Sequence, residues 1–387
     1  IDDENMNVLF LNKRLLSIIG IWPKDSNDLR FVVNFGYMFI HVAMEYADFI
    51  QHLGNLEQIV DNLSVTIIFS ILLIKMATFR KNRILSKMID AMNEDCENHK
   101  YQSSKERRIY ATYNTMAKTF YKILLPLVAI TSFLYYLRPL AALLFTSSQN
   151  VKTRFVLPYR TRFFYEMTEV YRYALAYVYQ AVSIHMVTIG YIGTDGLLIS
   201  LTLHVSGQLS VLADSIITLT ENAKNGSEHG PNMSISLIIS VQRTYKIFRM
   251  AKNIDAAFTI VLLGQLLGSS LLICLNGYNV IVNSKNTQRT SLIAFALYET
   301  SLLILLYSYC FIGECLIRES QRVLDAFYQC AWYEMPASQS KDLVICMARS
   351  QKPLYLTAGK FYIFSLANFT QVIKSSFTYL SVLRTLV

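Results

Sequence analysis

The chain runs apolar, again and again, for about the length needed to cross a bilayer, and this property constrains its fold more than any other. About 20 consecutive apolar residues span the hydrocarbon core as an α-helix. Inside lipid each backbone N–H and C=O must find its partner within the protein, which favours helices over open strands. Of 387 residues, 53% are hydrophobic and 16% charged, where a soluble domain carries about a quarter charged. The sequence therefore predicts an all-α membrane protein with seven transmembrane helices, over 31–50, 62–79, 120–145, 163–203, 256–282, 292–317 and 361–386.

The runs between spans carry their own pattern. Residues 9–22 mix Lys13 and Arg14 with Leu and Ile, which predicts a short interfacial helix ending near Pro23. Lys75 sits near the end of span two, in reach of the membrane surface by snorkelling. The polar connection 80–122 holds helical pattern and extends spans two and three beyond the bilayer. Pro126 and Pro139 fall inside or near the ends of span three, where neighbours can satisfy a freed carbonyl. Span four is too long for a bilayer at ~1.5 Å per residue, so it projects outward. A second projecting helix, 238–253, leads into span five, and span six continues to Trp332. The division is a leader (1–30), spans one to four (31–205), projecting helices (206–255), spans five and six (256–317), further projecting helices (318–360) and a final span (361–387).

Lys and Arg orient these spans. The segments before span one and after spans two, four and six hold 4, 10, 5 and 6 of them. The loops after spans one, three and five hold 0, 4 and 2. Basic residues accumulate on the cytoplasmic side, which puts the N-terminus in the cytosol and the C-terminus outside. The net charge of +9 lies in these loops and predicts no nucleic-acid partner. The start reads as lacking a cleaved signal peptide. Six cysteines and six histidines show no ligand spacing, and no metal or other cofactor is expected. No hydrolase, zincin or phosphate-loop motif is present, so the chain is not read as an enzyme.

The last span has internal order. Gln371, Ser375 and Thr378 follow at steps of four and three, and the rhythm continues to Val382 and then Thr385 or Leu386. Such steps share one helix face. A polar stripe on a membrane helix faces protein or water, so it lines a pore or is a buried packing face.

The second half carries recognisable wording: Thr194-Asp195-Gly196-Leu197-Leu198, His204-Val205-Ser206-Gly207-Gln208-Leu209 and Tyr309-Cys310-Phe311-Ile312-Gly313-Glu314. Further on come Ser350-Gln351-Lys352-Pro353, Leu356-Thr357-Ala358-Gly359-Lys360 and Ser375-Ser376-Phe377-Thr378-Tyr379-Leu380-Ser381-Val382-Leu383-Arg384-Thr385. Over about 160–387 the chain resembles the insect odorant receptor family. It is shorter than that family's co-receptor and lacks its long insertion between spans four and five, so it looks like a ligand-tuned subunit, similar to the hymenopteran type.

The resemblance implies a ligand-gated, non-selective cation channel in the plasma membrane of a sensory dendrite. It implies a heterotetramer with the co-receptor, in contact with membrane lipid, with the projecting helices forming a cytosolic anchor. It puts the gate on Val382, a second constriction on Leu386 and the filter position on Thr385, where the co-receptor has Gln. Ser381, Thr378, Ser375 and Gln371 belong to the same pore-lining span. A small volatile or semi-volatile organic odorant would bind in the outer half of the bundle between spans two, three, four and six. Aromatic and polar residues there are Tyr135, Tyr136, Tyr177 and Tyr298, with Phe69, Ser132, Phe133, Tyr173 and Gln180. Alternatives are a gustatory-type homomeric channel, a G-protein-coupled receptor and a transporter; the second lacks its usual span-three and span-seven motifs here.

Overall fold

Capping residues divide the chain before packing does. Asn27 accepts from Arg30 N (3.1 Å) and starts α2 (Asp28–Gln51); Asn55 accepts from Gln58 N (3.2 Å) and starts α3 (Leu56–Lys81). Asn82 then accepts from Ile84 N and Leu85 N (3.1 and 3.3 Å), so α4 (Arg83–Glu97) begins as a separate helix. Each cap satisfies a backbone donor that the first helical turn leaves open. The computed structural model describes residues 2–24, 27–97, 103–145, 156–165, 169–224, 231–285, 289–329 and 337–385.

Upstream of α2 lies α1 (Asp2–Ile19), and downstream of α4 lies α5 (Ser104–Phe145), continuous through Pro126 and Pro139. Two 55-residue helices follow, α6 (Val170–Lys224) and α7 (Pro231–Lys285), and then α8 (Arg289–Gln329) and α9 (Ala337–Ser350). A small hairpin of β1 (Thr357–Ala358) and β2 (Tyr362–Ile363) precedes α10 (Leu366–Thr385). Among the described residues α3, α5, α6, α7 and α8 are long and apolar enough to cross a membrane. Helices α2 and α10 occupy the first and last expected spans but carry more polar side chains.

Helix α6 is the hub. It touches α1, α3, α4, α5, α7 and α8, and its apolar window is wholly buried. Glycines permit that crowding: a Cβ at Gly190 would overlap the Leu72 side chain, and one at Gly196 would overlap the Tyr121 ring. Tyr121 is held there by a hydrogen bond to Asn12 of α1. Leu16 and Ile19 of α1 are buried against Gly193 and Gly190. The leader expected at the interface therefore docks on the bundle, because its apolar face meets a stripe without side chains.

Two other expectations change. Span four, placed from 163, begins at Val170. Upstream, the described residues 156–165 are irregular rather than helical, and Gln180 ties them to α6: its Nε2 donates to Tyr159 O (2.9 Å) and Thr161 Oγ1 (3.0 Å), and Tyr159 Oη donates back to Gln180 O (3.1 Å). Span seven, placed from 361, begins as helix at Leu366. Residues 357–363 form the hairpin instead, turning at Gly359 and Lys360, both with positive φ (59° and 66°), the pairing a type I′ turn needs. The projecting helix before span five is continuous with it as α7.

The hairpin is bolted to two helices. Asp255 of α7 accepts from Thr357 N and Oγ1 (both 2.7 Å), and Gly359 N donates to Thr259 O (3.2 Å). On the other side Gly313 of α8 lies so close to the Phe364 carbonyl that a Cβ would overlap it. Glu314 accepts from Leu366 N (3.1 Å) at the first turn of α10. Far from the hairpin, Asp95 of α4 receives Lys246 Nζ (2.7 Å) and faces His204 Nε2 (3.5 Å). Burial disfavours its charged form, yet hydrogen bonds from His204 and Lys246 outweigh this and hold the carboxyl below its ordinary value.

The Gly196–Tyr121 contact gives a test. Gly196→Ala should lower the melting temperature of the purified receptor, as overpacking costs about 1–3 kcal/mol. Tyr121→Ala should then cost less in the Gly196→Ala background than in the wild type; equal melting of wild type and Gly196→Ala would refute the packing account.

Candidate functional site

A cavity of about 100 Å³ lies inside the bundle where α3, α5, α6, α7 and α8 meet. Ile68, Leu124, Val128, Val187 and Leu302 give it apolar walls. Its hydroxyls are spent locally: Thr131 donates to Leu127 O (2.8 Å) and Ser301 to Leu297 O (2.8 Å), with 3.0 Å between the two hydroxyls. Thr188 donates to Ile184 O (2.9 Å) and stands 2.9 Å from Ser132 Oγ. Tyr298 Oη donates to Ser64 O (2.8 Å) and Tyr191 Oη to Ile68 O (3.2 Å). Enclosed apolar space with a few placed polar groups is the usual character of a small-molecule site. A dry cavity of similar size can hold a benzene-sized guest.

One charged pair borders the cavity. Lys75 Nζ lies 2.6 Å from Asp195 Oδ1, with both side chains buried, and 3.8 Å from the centre of the Tyr191 ring. Lys75 was expected to snorkel; it is instead wholly buried. An ammonium enclosed by protein needs a counter-charge, and Asp195 on the central helix supplies one.

The aromatic and polar residues picked from the sequence separate into groups. Ser132 and Tyr298 line the cavity. Tyr135 stands beside it, 6.3 Å from Tyr298 and 6.5 Å from Phe295 between ring centres. Tyr136 and Tyr177 clasp α5 to α6: each hydroxyl donates to the other residue's carbonyl, at 3.0 and 2.5 Å. Tyr173 packs on Tyr177 (5.6 Å) and donates to Val156 O (2.9 Å). Gln180 secures the 156–163 segment, and Phe69 packs on His41 (4.6 Å) and Tyr159 (5.6 Å). Phe133 is 61% exposed and points out of the bundle. Sequence reasoning passed over Tyr191, Thr131, Thr188 and Asp195 as cavity residues. A lone Lys in span two and a lone Asp in span four were the available signal, since each needs an opposite charge.

Helix α10 forms a second feature. Val372 and Ser376 are buried on one side, Ser376 Oγ lying 3.4 Å from Ser270 of α7, and Leu380 packs at Gly277. The opposite side is open: Gln371, Ser375, Thr378, Ser381 and Val382 are exposed. Ser375 and Thr378 turn their hydroxyls back to Gln371 O (3.0 Å) and Lys374 O (2.9 Å). Thr385 ends the helix, and Leu386 lies outside the described residues. Lys374, absent from the sequence-derived stripe, is exposed on the same side and has no ion-pair partner among the described residues.

Comparison with known proteins places these features in context. A family model described as 7tm Odorant receptor matches residues 55–377. Odorant receptor 13a of Drosophila melanogaster is 26% identical over 308 residues, 74% of this chain and 72% of that one. The odorant receptor coreceptor of Anopheles gambiae is 26% identical over 173 residues, only 43% of this chain and 36% of that one. The structure of the insect olfactory receptor OR5 from Machilis hrabei in complex with eugenol shares the fold. Its TM-score is 0.80 at 17% identity, covering 99% of this chain and 100% of that chain.

The buried pair is testable directly. Lys75→Ala leaves a buried carboxylate without its partner and should cost about 3–5 kcal/mol, read as loss of monodisperse protein on size exclusion. Lys75→Met combined with Asp195→Leu removes both charges and should recover most of it. A single variant as stable as wild type would show the pair to be solvated.

Proposed function

The chain belongs to the 7tm odorant receptor family, and from that premise we propose that it is the odorant-tuned subunit of a ligand-gated, non-selective cation channel. It is a multi-pass membrane receptor and not the co-receptor. In this reading seven helices cross the plasma membrane of a sensory dendrite, α2 and α10 completing the set, with the N-terminus inside and the C-terminus outside. The ends of α6, α7 and α8 beyond the bilayer, with α4 and α9, make the cytosolic anchor through which this chain assembles with three other subunits, the co-receptor among them. A small, largely apolar odorant occupies the cavity. The α10 helices of four subunits line the pore, with Val382 as gate and Leu386 and Thr385 at the outer mouth.

The observation that carries this reading is that α7 and α8 wall the cavity and are also the helices on which α10 packs. Ligand that favours one packing of α7 and α8 thereby favours one position of α10. Opening then requires higher affinity for the open arrangement, since equal affinity shifts no equilibrium. The open side of α10 supports the pore assignment. Lys374 lies eight residues into the 20-residue helix, about 12 Å along it. A lysine at that depth is costly against lipid and is accommodated by water or by a neighbouring subunit.

Expression with and without co-receptor tests the reading: odorant-evoked cation current should require both chains. Val382→Ala should raise current without ligand by widening an apolar constriction. Lys374→Gln should raise unitary cation conductance at low ionic strength and less at high, because salt screens an exposed charge. Conductance unchanged at both ionic strengths, with leak unchanged in Val382→Ala, would take this face of α10 off the conduction path.

A further inference from the structure

The cavity contains two acceptors that the protein leaves unused. Asp195 is 3% exposed; its Oδ1 holds Lys75, while its Oδ2 has no hydrogen-bond partner. Gln265 of α7 is 1% exposed; its Nε2 donates to Ser269 Oγ (3.3 Å), while its Oε1 has no partner. Both residues line the cavity. The donors of the other polar residues around it are already committed: Thr131, Thr188 and Ser301 to carbonyls of their own helices, Ser132 to Thr188 Oγ1, and Tyr191 and Tyr298 to carbonyls of α3. Buried acceptors left without donors are unfavourable, so the unmet demand of this cavity is for a donor.

We propose that Asp195 and Gln265 are specificity-determining acceptors that select neutral ligands carrying a hydroxyl, alcohols or phenols with a compact apolar body. The inference rests on the reading of the cavity as the odorant site. The donor must be neutral because Lys75 already balances the carboxylate. An ammonium ligand would meet an ammonium 2.6 Å from the same carboxylate, and an anion would meet the unpaired acceptors. The apolar walls (Ile68, Val128, Val187) take the rest of the molecule. The protein holds its own competitor as well: the buried Tyr309 hydroxyl of α8 interacts with the same Asp195 carboxylate. A ligand hydroxyl that reaches Oδ2 takes the place this tyrosine would otherwise fill.

The test records currents from the receptor with co-receptor across three size-matched series: hexan-1-ol, 1-methoxypentane and heptane; phenol, fluorobenzene and toluene; benzyl alcohol, anisole and ethylbenzene. Hydroxyl compounds should act at concentrations at least about tenfold lower than their partners without a donor. Gln265→Leu should shrink that ratio severalfold. Lys75→Met with Asp195→Leu, which keeps a neutral core, should abolish it. Tyr309→Phe removes the competitor and should increase hydroxyl sensitivity. Val128→Phe, which fills the cavity, separates the two levels of the argument. Unchanged responses in Val128→Phe would reject the cavity as the odorant site. Responses lost in Val128→Phe, but with an alcohol-to-ether ratio unaltered in the acceptor variants, would reject this inference alone. An ether or hydrocarbon as potent as its alcohol, or silence across the whole panel, also overturns it.

Discussion

The enclosure of α6 is the constraint on which the rest of the structure depends. A helix whose apolar window is wholly enclosed by other helices cannot keep bulky side chains everywhere, and its polar groups must for the most part find partners inside the protein. Glycines at 190, 193 and 196 let Leu72, Leu16 and Tyr121 approach its backbone. Several of its serines and threonines return their hydroxyls to carbonyls four residues back, as Thr194 does to Gly190 O (2.8 Å) and Ser200 to Gly196 O (2.7 Å). That local bonding lets a polar residue sit inside a membrane protein without a distant partner. Asp195 cannot be satisfied this way. It needs a cation, and Lys75 arrives from α3.

Much of this was legible in the sequence. Hydropathy and length located the long helices, since lipid admits few alternatives. Steps of three and four along the last span identified a face that is open on the folded chain. What escaped was set by partners rather than periodicity. A helical pattern states which face Lys75 occupies but not that Asp195 stands opposite, so a lysine near a span end read as snorkelling. Tyr136 and Tyr177 looked like pocket residues because aromatic side chains with hydroxyls suit a pocket; they are tied to each other's backbones instead. The starts at 163 and 361 failed for one reason. Side-chain bonds from Gln180 to Tyr159 and Thr161, and from Thr357 to Asp255, tie the chain just before each start into non-helical structure.

The hairpin before α10 shows how little freedom the last helix has at its first turn. Its strands are only two residues each, too short to be stable alone. They persist because Asp255 and Thr259 on α7, and Gly313 and Glu314 on α8, fix both the hairpin and the first backbone amide of α10. The far half of α10, by contrast, is held to the bundle through small contacts: Ser376 on Ser270 and Leu380 on Gly277.

That geometry assigns different tasks to the two faces of α7. One face presents Gln265 and Leu272 to the cavity; the other carries Ser270 and Gly277 against α10. The four residues interleave within about three turns of a single helix, so the cavity and the far half of α10 share one wall. Packed helices have discrete arrangements rather than a continuous range, since interiors are close-packed. A small shift of α7 at Gln265 therefore has to be taken up within the same turns at the α10 contact.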